Sequence, residues 1–205
     1  MLTRIAVLVS GGGTNLQALM DAQAAGRIPS GKIALVVSNR KAAYALERAK
    51  GAGIESVVLS KYMKPDPDAY DAALLDILTA HRIDMLALAG FLGIIGPRVL
   101  AAYERRIVNI HPALIPSFCG LGFYGLRVHE AALARGVKVT GATAHLVNGE
   151  VDGGPILLQK AVLVHEGDTP ETLQRRVMEE AEWELLPRAV RMISDQIAMG
   201  RKDTL

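Results

Sequence analysis

Over its first half the chain alternates short β-branched, apolar runs with longer Ala/Leu-rich ones, the pattern of strand, helix, strand, helix. Residues 4–9 predict a first strand, and residues 15–25 a helix with Leu16, Leu19, Met20 and Ala24 on one face and Gly26 just beyond its end. Strand two is expected over 32–37, a helix over 42–52 stopped by Gly53, and strand three over 56–59. The stretch 61–68 holds two prolines and four charges and reads as a surface connection, followed by a helix over 69–81. Strand four is expected at 85–89, a short helix at 97–103 with Pro97 in its first turn, and strand five at 106–110.

The next loop, 112–124, carries proline, glycine and aromatic residues and is long for a compact domain, which marks it for function. A helix over 128–134 is stopped by Gly136, strands follow at 138–147 and 156–164, and Thr169, Pro170 and Glu171 open a long closing helix that passes Pro187. No hairpin turn joins any of the first five strands to the next. They are therefore expected to lie parallel in an α/β sheet with helices on both faces, with ligands at the carboxyl ends of the strands. No repeat or linker divides the chain, so one domain over 1–205 is expected.

Composition narrows the functional classes. Half of the 205 residues are hydrophobic and only 4% aromatic, so the core must be built from Ala, Val, Leu and Ile, and a disordered chain is excluded. With 23 basic against 21 acidic residues the net charge is +2. Arg105-Arg106 and Arg175-Arg176 are isolated pairs without interleaved aromatics, so no nucleic-acid partner is expected. A lone cysteine, Cys119, makes neither an internal disulfide nor a Cys-rich zinc cage and suits a reducing compartment. The longest apolar run, 85–96, falls short of the roughly 18 residues of a membrane span. The apolar run 5–9 is too short for a signal sequence, so a cytoplasmic protein without a membrane partner is expected.

Three clusters carry candidate chemistry. Ser10, Gly11, Gly12, Gly13, Thr14 and Asn15 lie where strand one meets the first helix. Unpaired amides and the positive dipole end there hold an anion such as phosphate; a tight turn with an N-cap reads equally well. Leu16 occupies the third glycine position of G-x-G-x-x-G, and no acid ends strand two, so a dinucleotide is disfavoured. At the end of strand five, Asn109 and His111 are two residues apart and share a side. An amide donor beside an imidazole suits a carbonyl oxygen that becomes negative, although a histidine before a proline also occurs as a structural residue. Asp152, Gly153, Gly154 and Pro155 make either an ordinary turn or a loop whose carboxylate orients His111 and favours its protonated form.

Taken together and in order, residues 5–15, Ala89-Gly90-Phe91, Asn109-Ile110-His111-Pro112 and Asp152-Gly153-Gly154-Pro155 resemble the motifs of the folate-dependent formyltransferases. The resemblance runs from about residue 3 to the last helix. It implies a Rossmann-like, mostly parallel sheet and transfer of a formyl group from 10-formyltetrahydrofolate, as co-substrate, to the amine of glycinamide ribonucleotide. It implies no metal, and a monomer or homodimer.

By the same resemblance Asn109, His111 and Asp152 are the catalytic set. Gly12, Gly13, Thr14 and Asn15 hold the ribonucleotide phosphate, and Glu182 matches a glutamate that contacts the ribonucleotide. Leu92, Gly93, Ile94 and Ile95, with Asn148, Gly149, Glu150, Val151, Asp152 and Asn109, line the folate site, largely through backbone groups. Asn109 and protonated His111 are expected to stabilise charge on the formyl oxygen while Asp152 moves the proton.

The chain departs from the family pattern at several positions. Gly93 and Pro67 stand where the family has arginines, with Lys64 a substitute for the second; Trp183 replaces a histidine, and the loop 117–125 is longer than the common form. Branches acting on tRNA or hydrolysing the folate carry further domains and are not expected here.

Overall fold

The structure, a computed structural model, describes residues 1–200, so the last five residues of the expected domain lie outside the described residues. One sheet of seven strands runs in the order β3-β2-β1-β4-β5-β6-β7. The strands are β1 (Thr3–Val9), β2 (Gly31–Ser38), β3 (Ser56–Val58), β4 (Met85–Leu88), β5 (Ile107–His111), β6 (Val139–Leu146) and β7 (Ile156–Leu163). The first five are parallel, as expected, whereas β6 and β7 are antiparallel.

The helices are α1 (Thr14–Ala24), α2 (Ala45–Gly51), α3 (Pro67–Ala80), α4 (Pro97–Ala102), α5 (Leu126–Arg135), α6 (Pro170–Val177) and α7 (Trp183–Ala198). Among the described residues no helix is long and apolar enough to cross a membrane.

β1 reads as an unbroken apolar run because both of its faces are covered. Ile5, Val7 and Val9 pack with Leu16 and Leu19 of α1 and with Leu185 and Leu186 of α7. Ala6 and Leu8 face the other way, toward Leu74 and Leu78 of α3 and Val99 of α4. Successive strands step outward from β1 to β2 and β3, and the chain then returns to β4 and β5 on the other side. That reversal opens a crevice between the carboxyl ends of β1 and β4.

Several boundaries shift by one to three residues, α2 beginning at Ala45 rather than at residue 42, and two of the differences have clear local reasons. α3 starts at Pro67 rather than at residue 69, because proline suits the first helical position and Asp66 caps the end, its Oδ2 accepting the Ala69 N–H at 3.1 Å. The closing helix is interrupted: a π-helical turn, Met178–Glu182, separates α6 from α7. One residue extra per turn rotates the side chains that follow, and such turns concentrate at functional sites.

Buried Asp71 of α3 ties down the segment that follows β4. Its carboxylate accepts the Arg98 N–H at 2.7 Å and the Val99 N–H at 3.3 Å, capping α4, and Gly96 is required beside it because a Cβ would lie 2.3 Å from the Asp71 Cγ. Asp71→Ala strands both amides and is expected to lower unfolding free energy by about 1–3 kcal/mol, read from the denaturant midpoint. An unchanged midpoint would mean that water caps α4 equally well.

Candidate active site

The glycine loop, the segment after β4 and the end of β5 meet at the crevice, with α6 and the π-helical turn closing one side. They enclose a cleft of about 820 Å3. Its walls include Gly12, Gly13, Thr14, Asn15 and Glu182 at one end and Leu92, Gly93, Ile94 and Val151 at the other, with Asn109, His111 and Asp152 also on the wall.

At the glycine loop the first turn of α1 has no side-chain cap and no acidic residue. A Cβ on Gly11 or Gly12 would meet nothing within 4 Å, so these glycines leave room beside their amides. Gly13 is constrained instead: its φ is +73°, and a Cβ would lie 2.7 Å from the Ala45 Cβ of α2. Arg48 of α2 steadies the loop by donating from Nε to the Gly12 carbonyl at 2.9 Å. Ser10 Oγ accepts the Leu92 N–H at 2.7 Å and couples the loop to the segment after β4.

The Asn15 side chain commits one of its donors inside the protein. Its Nδ2 donates to Glu182 Oε2 at 2.6 Å, leaving Oδ1 buried and without a partner. The Asn15 backbone amide, in the first turn of α1, is also available to an anion. The Thr14 hydroxyl makes only a weak contact with Met178 Sδ at 3.7 Å. Glu182, at the end of the π-helical turn, is 6% exposed on the cleft wall, and burial pushes its carboxyl up to about 7 against the opposing pull of Asn15.

Asn109, His111 and Asp152 converge although they lie far apart along the chain. β5 and β6 pair in a register that sets Asn109 opposite His145 and His111 opposite Thr143. His145 Nδ1 donates to the Leu146 carbonyl at 2.8 Å, so in the neutral ring Nε2 carries the lone pair and accepts the Asn109 Nδ2–H at 3.1 Å. This fixes which end of the carboxamide faces His145 and leaves the second Asn109 N–H free. Asp152 Oδ2 lies 3.5 Å from His111 Nδ1, and Oδ1 lies 3.6 Å from His145 Nε2.

The Asp152 loop reaches this position because Gly154 lies directly against β6, where a Cβ would sit 1.8 Å from the Leu146 carbonyl. Gly154 of this motif therefore serves close backbone packing, whereas a Cβ on Gly153 would meet only the Glu150 side chain, at 2.5 Å. Asp152 itself has φ +56°. Burial works to raise its carboxyl, but the neighbouring His145 ring, the Gly120 amide and the His111 ring bring it below the ordinary value.

For His111 the balance is the reverse. Burial lowers its imidazole below the ordinary value, and Asp152 and the Phe118 carbonyl offset this only in part. The sequence suggests a protonated imidazole; in the structure desolvation outweighs the carboxylate.

Four of the expected folate-site residues do not line the cleft. Ile95 is buried in the α3/α4 side of the core. Asn148, Gly149 and Glu150 form the turn before Val151, Asn148 Oδ1 accepting the Glu150 N–H at 2.9 Å. Conversely, residues that motif reading passes over do line it: Arg40 at the end of β2, Gln174 and Met178, and Leu121, Phe123 and Tyr124 from the long loop. For the three loop residues the sequence signal is the loop's length and its glycine and aromatic content; Arg40, Gln174 and Met178 have none. Cys119 stays a thiol rather than a thiolate, its pKa raised by burial and by Asp152 and Glu150.

Comparison with known proteins agrees with this architecture from end to end. A formyl transferase family model matches residues 3–190. The chloroplastic phosphoribosylglycinamide formyltransferase of Arabidopsis thaliana is 39% identical over 201 residues, covering 98% of this chain and 68% of the relative. The trifunctional purine biosynthetic protein adenosine-3 of Homo sapiens is 40% identical over 193 residues, 93% of this chain but only 18% of that protein. In three dimensions the chain superposes on glycinamide ribonucleotide transformylase 1 from Symbiobacterium toebii with a TM-score of 0.89 and 45% identity, over 95% of this chain and 88% of the other. A likeness that spans both halves of the sheet and the whole cleft, at identities of 39–45%, has one consequence: the chain belongs to the formyl transferase family.

Proposed function

We propose that the chain transfers the formyl group of 10-formyltetrahydrofolate to the amine of glycinamide ribonucleotide, giving formylglycinamide ribonucleotide and tetrahydrofolate in purine synthesis. The observation that carries this reading is the meeting of the Asn109, His111 and Asp152 side chains in a cleft with a bare helix N-terminus at one end.

The amides of Gly12, Gly13, Thr14 and Asn15 hold the phosphate, and the dipole of α1 adds to their attraction. Glu182, close to half-protonated at neutral pH, can accept from or donate to a ribose hydroxyl. At the opposite end Leu92, Ile94 and Val151 are 48%, 73% and 43% exposed, and these apolar side chains fit the faces of a flat heteroaromatic ring whose edge reads the local backbone. Asn148, Gly149 and Glu150 act through the turn that presents Val151 and Asp152, and Ile95, buried in the same cluster as Phe91, acts by anchoring the segment after β4 to the core.

The folate brings a formyl carbon bound to N10, and the ribonucleotide brings the attacking amine. Asn109 directs its free N–H at the formyl oxygen, where negative charge develops. His111 and Asp152 together take the proton that the amine loses as its bond to carbon forms. They return it to N10 as the old carbon–nitrogen bond breaks, so protons balance over the cycle. The cleft walls hold both substrates in attack geometry, which supplies much of the remaining acceleration. Two small molecules in the cytoplasm, with no nucleic acid or membrane, complete the reading.

The test is direct: mix the protein with both substrates and follow tetrahydrofolate release. Turnover should require the ribonucleotide. Release in its absence would point to hydrolysis, and binding of both compounds without turnover would point to a non-catalytic binder.

A further inference from the structure

We propose that the backbone carbonyl of Phe118 is the positioning group that sets the tautomer of His111 and thereby decides which ring nitrogen is turned, as a base, toward Asp152. This rests on the reading above, in which His111 and Asp152 carry the proton, and adds to it a group outside the motifs.

His111 Nε2 lies 2.8 Å from the Phe118 carbonyl. A carbonyl oxygen only accepts, so Nε2 bears the hydrogen, and in the neutral ring Nδ1 is left with a lone pair facing Asp152 Oδ2 at 3.5 Å. Without the carbonyl the carboxylate would draw the ring's single hydrogen to Nδ1. The basic nitrogen would then be Nε2, turned toward the loop and away from Asp152. Two acceptors compete for one hydrogen, and the shorter contact belongs to the carbonyl. Once the ring gains a second proton both acceptors are satisfied, so the same arrangement stabilises the imidazolium that proton transfer creates.

The loop grips the pair from both sides. Two residues beyond Phe118, the Gly120 N–H donates to Asp152 Oδ2 at 2.9 Å, the same oxygen that faces His111. Phe118 can present its carbonyl inward because its backbone is left-handed, φ +50°, a conformation few side chains adopt without strain. The loop's base is anchored to the sheet: the Ile115 N–H donates to Thr143 Oγ1 at 3.0 Å, and Gln159 Nε2 donates to the Ile115 carbonyl at 3.0 Å. The titratable groups around His111 are Asp152, His145 and the buried His129 of α5, whose own imidazole is lowered to about 4 by burial and by His111.

Two variants separate the backbone from the side chain. Phe118→Gly and Phe118→Val both delete the ring and its edge contact with Phe123. They differ in that glycine takes a left-handed conformation freely and a β-branched residue resists it. The expected result is a kcat for Phe118→Val at least about tenfold below that of Phe118→Gly, with Phe118→Ala between them.

Nitrogen-15 NMR of the His111 ring in the resting protein gives a readout independent of turnover. Nε2–H is expected in the wild type and in Phe118→Gly, and Nδ1–H in Phe118→Val. Nδ1–H in the wild type would overturn the assignment, as would equal kcat values for folded Gly and Val variants. If Phe118→Val does not fold, the wild-type tautomer and the Gly-to-Ala comparison still decide. If the wild type has Nε2–H yet transfers no formyl group, the proposed reaction fails while the carbonyl's hold on the ring stands.

Discussion

Asp152→Asn is expected to lower kcat by about 10²–10⁴ while leaving the KM for the ribonucleotide within about threefold of the wild type. The amide keeps the volume of the carboxylate and can still accept the Gly120 N–H at the position where Asp152 Oδ2 now lies, so the loop should hold its place. What it cannot do is take a proton. Because the native carboxyl is held below its ordinary value, the base form of Asp152 persists throughout the pH range in which the substrate amine is reactive. The loss should therefore be of similar size from mildly acidic to alkaline pH. His111→Ala removes the partner ring and should likewise act on kcat, since the phosphate cradle lies at the other end of the cleft. Steady-state kinetics on both variants checks this, and a purely KM effect in both would reject the catalytic assignment.

Glu182→Gln is expected to change how stability depends on pH. The carboxyl is raised from 4.5 to about 7 by burial, so the folded state binds this proton more tightly than the unfolded chain does. The resulting stabilisation is fully present below about pH 4.5 and is lost as pH rises through about 7. A rise of that size corresponds to about 3 kcal/mol between the two limits. Glutamine, neutral throughout and still able to accept from Asn15 Nδ2, removes this dependence. Denaturant unfolding of the wild type and the variant should give a constant difference below pH 4 and one that shifts in the variant's favour by about 3 kcal/mol by pH 8. Parallel curves across the whole range would mean that Glu182 titrates normally and is reached by water.

Much of this architecture is legible in the sequence because the signals are local. Strand and helix alternation follows from side-chain periodicity, and ligands at the carboxyl ends follow from parallel strands; the reversal of strand order that opens the crevice between β1 and β4 has no such local signal. Gly13, with its positive φ and its contact with Ala45, is a position only glycine fills, and it appears in the sequence as a glycine. Phe118 adopts an equally left-handed backbone, yet its residue type gives no hint of it.

The remaining surprises come from contacts across long separations. Asn15 belongs to the phosphate-binding motif, yet its side chain donates a hydrogen to Glu182 at 2.6 Å, a contact no local pattern announces. That meeting depends on the π-helical turn, whose extra residue leaves the hydrophobic pattern of the closing helix almost unchanged. Burial of His111 is likewise a sum over the whole cleft wall, so its preference for the neutral ring is invisible in the Asn-Ile-His-Pro motif itself.

The facing of Asn109 and His145 across the antiparallel β5–β6 ladder separates chemistry from chain length. Backbone pairing, not the connection between the strands, fixes the distance between these two side chains. A slip of β6 by one residue would turn His145 to the opposite side of the sheet from Asn109. Segments added or removed between the strands leave that distance untouched so long as the ladder zips in the same frame. Evolution is thereby free to remodel the rim of the cleft, and a protein engineer could exchange the rim between relatives without rebuilding the reactive pair beneath it.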